Sequence, residues 1–197
     1  MTTHSRLLQT AAKALPNPLE GRTIITPKWE VEVTPGGEKA IVEGTVQQVR
    51  SEMLKRNPNW DTDFAVVKRE PEAQPKVSDL TKRTDFSNSK TICGGRWEYT
   101  DLSAINDGID YLRGVGGRPL AGPGPGFCAR VSCSYDAAIY WCNDAPEDKR
   151  LESFGSIADG TQKIVDECAT VSFGGPMVAG QVFHSTDWNV IVRRDGC

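Results

Sequence analysis

The sequence predicts an α+β fold: an antiparallel sheet packed with two helices into an α/β sandwich, stapled by disulfides and preceded by a small α/β pro-domain. Three observations point to it. All six cysteines lie between Cys93 and Cys197, so one half of the chain is framed and the other is not. Between the halves, residues 68–90 turn to Lys, Glu, Pro, Ser and Asp, which is linker chemistry. Beyond the linker, two stretches of helical apolar spacing are interleaved with short runs rich in β-branched and aromatic residues. These place a pro-domain and linker at 1–83 and a mature, disulfide-stapled domain at 84–197.

In the first part, Leu7, Leu8, Ala11 and Leu15 stand at helical spacing, and Pro16 ends that helix. Trp29 to Val33 alternates apolar and polar residues, which predicts a strand; Pro35-Gly36-Gly37 turns the chain, and Lys39 to Val42 pairs back. Thr45 and Gln48 have the spacing of a capping box, opening a helix through Arg56 with Val46, Val49 and Met53 inward. Asn57-Pro58 stops it. Phe64 to Val67 reads as a last short strand.

In the second part, Thr91 to Tyr99 reads as a strand. Thr100 is expected to cap a helix running to Gly114, with Leu102, Ile105, Ile109 and Leu112 as its apolar stripe. The glycine- and proline-rich stretch from Arg118 to Gly126 reads as a connector, because a phosphate-cradling loop would follow a strand and open a helix. Phe127 to Cys133 and Ala137 to Cys142 read as strands joined around Ser134-Tyr135-Asp136. Ile157, Ile164 and Cys168 mark the inner face of a second helix over residues 153–170, weakened by Gly155 and Gly160. Ala179 to His184 and Trp188 to Val192 close the domain as a hairpin.

Cys93, Cys128, Cys133, Cys142, Cys168 and Cys197 read as three disulfides. No C-x2-C pair occurs and the only histidine near them is His184, so zinc is disfavoured and no metal or cofactor is expected. Six cysteines allow many pairings. Cys133 and Cys142, flanking a hairpin, are one candidate pair, and Cys168 should tie its helix to a strand. Cysteine usage asks for an oxidising compartment, so the protein is expected to be secreted. Met1 to Leu8 lacks the apolar stretch of a signal peptide; the chain is then either cytosolic or has had its signal removed and replaced by a start methionine, and the cysteine pattern favours the second. No stretch approaches the roughly 18 apolar residues of a membrane helix.

Leu80-Thr81-Lys82-Arg83 ends on a dibasic pair at the boundary, and cleavage is expected after Arg83. Residues 1–83 carry a net charge of +2 and residues 84–197 a net of −5. The acidic second part excludes phosphate-backbone binding as its main activity, so no nucleic acid partner is expected. His184, Ser185 and Asp187 are sequence neighbours, whereas triad members converge from separate elements. Cys93-Gly94-Gly95-Arg96-Trp97 echoes a papain-like nucleophile segment, but an even cysteine count leaves no spare thiol. Asp107/Asp110 and Asp166/Glu167 read as solvated helix faces. No catalytic residue is assigned.

The segments Arg130-Val131-Ser132-Cys133, Ala138 to Asn143, Gly180 to Phe183 and Trp188 to Val192, followed by a terminal cysteine, resemble a broad family of small secreted fungal proteins. More distantly they are similar to killer-toxin-like effectors and to necrosis-inducing factors of plant-pathogenic fungi. The likeness covers residues 93–197. It implies an α/β sandwich and a virulence role, with a kexin-type protease cutting the precursor. The implied target is an unidentified cell-surface protein of a plant host or microbial competitor. The expectation is therefore a monomeric, non-enzymatic effector able to induce cell death. The alternatives are a secreted hydrolase, a hydrolase inhibitor or an antimicrobial killer-type toxin. A cell-wall protein binding polysaccharide through Trp97, Trp141 or Trp188 is a further reading.

Overall fold

The computed structural model describes residues 19–64, 83–115 and 118–197. The helix expected over residues 4–15, residues 65–67 of the last strand expected in the first part, and Leu80 and Lys82 of the expected cleavage motif lie outside the described residues.

The first part supplies β1 (Thr23–Ile25), β2 (Lys28–Glu32), β3 (Lys39–Glu43), α1 (Val46–Arg56) and the helical turn α2 (Trp60–Asp63). The period-two pattern of Lys28 to Glu32 is realised: Trp29 and Val31 are buried while Lys28 and Glu30 are exposed. The capping box forms, with the Thr45 N–H donating to Gln48 Oε1 at 2.8 Å. Val46, Val49 and Met53 are buried as their spacing requires. Phe64 caps α2 instead of opening a strand, because Trp60 turns the chain helically and buries itself, donating from Nε1 to Glu32 O at 3.0 Å.

The second part supplies β4 (Lys90–Cys93), β5 (Thr100–Asp101), α3 (Leu102–Gly114), β6 (Leu120–Ala121), β7 (Phe127–Ser134), β8 (Ala137–Asn143) and β9 (Lys149–Arg150). It continues with α4 (Gly155–Cys168), β10 (Thr170–Ser172), β11 (Gly175–Val178), β12 (Gly180–His184) and β13 (Trp188–Arg194). The strand expected over residues 91–99 stops at Cys93, where Gly94 and Gly95 both take positive φ and reverse the chain. Asp101, not Thr100, caps α3: its carboxylate accepts from the Ala104 N–H at 2.9 Å, while the Thr100 hydroxyl is bonded to Asp136 O. Tyr135 and Asp136 both have positive φ, the geometry of a two-residue primed turn that matches strand twist.

A six-stranded sheet runs in the order β1-β7-β8-β13-β12-β4. Its pairings are antiparallel except β1–β7, which is parallel. Alternate residues of the central strands divide between two apolar clusters. Ala137, Ile139 and Trp141 of β8, with Val190 and Val192 of β13, join the stripes of α3 and α4. Ala138, Tyr140, Cys142 and Ile191 join Trp97, Leu19 and two half-cystines on the other face. Helix α4 approaches closely at Gly160, where an added Cβ would lie 2.8 Å from Val190 Cγ2 and 2.9 Å from Phe86 Cζ. The glycine that weakens the helix locally is what lets it dock.

The boundary at residues 83/84 does not separate two cores. Trp29, Val31, Val42, Val46, Val49, Met53 and Trp60 belong to the same buried cluster as Ile105, Leu112, Ile139 and Phe154. Trp29 stacks on Phe154 with ring centroids 4.0 Å apart. In β7 a bulge between Arg130 and Ser132 breaks the ladder. There Gln47 of α1 accepts from the Cys133 N–H at 3.1 Å and donates to Ser132 Oγ at 2.6 Å. Residues 19–64 thus supply an edge strand, a helix layer and the polar partner of a bulge.

Candidate maturation site and disulfide framework

All six cysteines are paired: Cys93–Cys168, Cys128–Cys142 and Cys133–Cys197. The candidate pair Cys133–Cys142 is not formed. Register decides this: β7 and β8 place Cys128 directly across from Cys142, whereas Cys133 lies across from Ala138, beyond the bulge. Cys133 instead holds the C-terminal tail through Cys197. The tail is also fixed by the Tyr140 hydroxyl donating to Asp195 and by Arg130 Nη1 donating to Gly196 O. Burial, followed by this bond to Asp195, pushes the Tyr140 phenol well above its usual range. Cys168 does tie its helix to a strand, α4 to β4.

Arg83 is exposed, and the chain becomes anchored one residue later. The half-buried Thr84 donates its backbone N–H to Asp159 Oδ2 at 2.8 Å. Arg113 Nη1 of α3 holds the other oxygen, Oδ1, at 2.7 Å. Asp159, in the second turn of α4, has a side chain only 9% exposed. Asp85 closes a small turn by accepting from the Ser87 N–H at 2.8 Å, and this bond holds its carboxyl below the usual range. Phe86 is buried against Gly160 and Val190 and meets Trp188 edge-on at 5.4 Å. Phe86 is therefore the wedge that fixes where Thr84 lies. Arg83, Thr84, Arg113, Asp159, Lys163 and Asp166 line one shallow hollow.

His184 is the last residue of β12, where the expected hairpin places it. Its ring stacks on Trp188 at 4.8 Å and receives the edge of Phe86 at 5.1 Å. Nδ1 accepts from the Thr186 N–H at 3.2 Å. Burial first, then the nearby Lys149 charge, lowers the imidazole below its usual range. Cys93 carries no thiol that could act as a papain-like nucleophile, because it is bonded to Cys168. Trp97, Trp141 and Trp188 are buried, so none offers a ring to a polysaccharide. The connector at residues 118–126 is stitched down by the Gly124 N–H to Ala145 O at 2.7 Å and by Asn143 Nδ2 to Gly122 O at 2.9 Å.

The β10–β11 hairpin is absent from the expected elements, because its Gly174-Gly175-Pro176 centre reads as loop. It presents Phe173, fully exposed, and Val171, 77% exposed. Tyr135, 88% exposed, sits on the β7–β8 turn, and it and the Gly174–Met177 stretch line a common hollow with Tyr99. Among the described residues no cluster of histidine, cysteine and acidic side chains could hold a metal, and no helix is long and apolar enough to cross a membrane. Comparison with protein-family models, with curated proteins and with solved structures finds no match.

Proposed function

We propose that the chain is a secreted, non-enzymatic effector matured by a kexin-type cut after Arg83, acting at the surface of a plant host or competitor cell. The observation that carries the reading is the junction itself. Arg83 is exposed, while Thr84 and Phe86 are anchored. The exposed Arg83 side chain is open to the basic-residue pocket of a protease. The three disulfides fit an oxidising, extracellular setting. Phe173, Val171 and Tyr135 offer apolar surface of the kind a protein receptor would cover.

On this reading the N-terminal segment is not discarded. Its tryptophans share the core, and no cysteine of its own fastens it. The cut product is then one particle of two chains that separate only in denaturant. The test is digestion of the purified full chain with a kexin-type protease, followed by non-reducing mass analysis and leaf-infiltration and growth-inhibition assays. One new terminus at Thr84, three intact disulfides and activity confined to the cut form would support the reading. Failure to cut at Arg83, or equal inactivity of both forms, would sink it.

A further inference from the structure

We propose that Asp159 is a built receptor for the α-ammonium group that a cut after Arg83 creates on Thr84, an inference that rests on the maturation reading above. Hydrolysis adds water across the Arg83–Thr84 peptide bond. Arg83 takes the hydroxyl and the Thr84 nitrogen takes the proton, giving an acid and an amine; at neutral pH the acid ionises to a carboxylate and its proton completes the Thr84 ammonium. That nitrogen already lies 2.8 Å from Asp159 Oδ2. The same atom changes from a neutral amide with one donor into a cation with three, and no other group has to move. A hydrogen bond with one ionised partner becomes one with both partners ionised, which adds a Coulombic attraction.

Two further features make this a site and not a chance contact. Asp159 is largely screened from water, and Arg113 clamps its second oxygen at 2.7 Å, so the free lone pairs face Thr84. Phe86, two residues along, is wedged between α4 and β13 and holds the new terminus in register whatever happens upstream. The charged groups lining the hollow are Arg83 and Arg113, with Asp159, Lys163 and Asp166 from α4. Cleavage removes the covalent restraint at Arg83, and the Asp159 contact that already joins α3, α4 and Thr84 becomes ionic.

The test uses the full chain, cut by a kexin-type protease and kept under native, non-reducing conditions. Labelling of the Thr84 α-amine by an amine-reactive reagent is followed by mass, native against denatured. The native amine should react at least about tenfold slower, since each unit by which the pair raises its pKa cuts the reactive neutral fraction roughly tenfold. The pH profile of its labelling should place its pKa above the ordinary α-amine range of about 7.7–8.0. Native labelling as fast as in denaturant, or a pKa inside or below that range, overturns the proposal while leaving the cut established. In Asp159→Asn, cut in the same way, the protection should be lost; protection that survives there shows burial alone and overturns the pairing. Should Asp159→Asn not fold, the wild-type pH profile decides by itself. Absence of any cut at Arg83 overturns the maturation reading and this site together.

Discussion

Residues 19–64 hold two of the largest buried side chains in the molecule, Trp29 and Trp60, and no cysteine. Residues 84–197 hold three disulfides and surround a sheet buried on both faces. The two regions share a core, yet only one is constrained in its unfolded state. A crosslinked chain has fewer conformations to lose, so marginal packing is tolerated there. The uncrosslinked region has to secure its place through burial and shape alone. That contrast predicts which perturbations each region survives.

The largest expected effect is on the uncrosslinked side. Trp29→Ala removes a ring that is 1% exposed, stacked on Phe154, with its Nε1 donating to Gly44 O at 2.7 Å. The expected loss is about 3–5 kcal/mol in urea unfolding. In the cut protein the N-terminal segment should also dissociate on gel filtration. A variant that unfolds within about 0.5 kcal/mol of the parent, the size of a surface-site effect, would show that the shared core is not what holds the segment.

Next come the disulfides, which should rank by the loop they close. Removing Cys93–Cys168 by paired alanines opens a loop of 75 residues and should cost about 4 kcal/mol, whereas Cys128–Cys142 closes only 14 and should cost about 3. Denaturant midpoints of the two double variants test the order. If the 14-residue bridge proves the more costly, packing of its buried sulfurs between β7 and β8 outweighs chain entropy.

The smallest effect is electrostatic. His184 has its folded-state pKa lowered by burial, so the unfolded chain takes up the proton first. The stability contributed by the neutral ring is complete above the unfolded value of about 6.5 and declines as pH falls below it towards the lower folded value. Unfolding midpoints at pH 7.5 and pH 5.5 (roughly one unit either side of that value) should differ more for the parent than for His184→Gln. Equal differences would mean that the ring exchanges protons as freely folded as unfolded.

How much of this was legible in the sequence depends on range. α1 with its capping box, the stripe of α3 and the hairpins around Tyr135 and Asp187 are local patterns and were readable. The Cys128–Cys142 pairing was not, because it depends on the position of a bulge that only the partner strand and Gln47 define. Asp159 could not be singled out, since Thr84 lies 75 residues away and nothing local distinguishes it from the other acidic residues of α4. The sharing of one core by Trp29 and Phe154 was hidden by composition: the polar linker and the cysteine boundary both pointed to separate units.

Strand β1 has a consequence of its own. It pairs in parallel along residues Phe127–Ala129 and occupies an outer border of the six-stranded sheet. Were the N-terminal segment stripped away, β7 would present unpaired amides and carbonyls beside freshly bared apolar side chains, a template for another strand. Loss of the segment would then register as concentration-dependent self-association into oligomers or fibrils before it registered as unfolding.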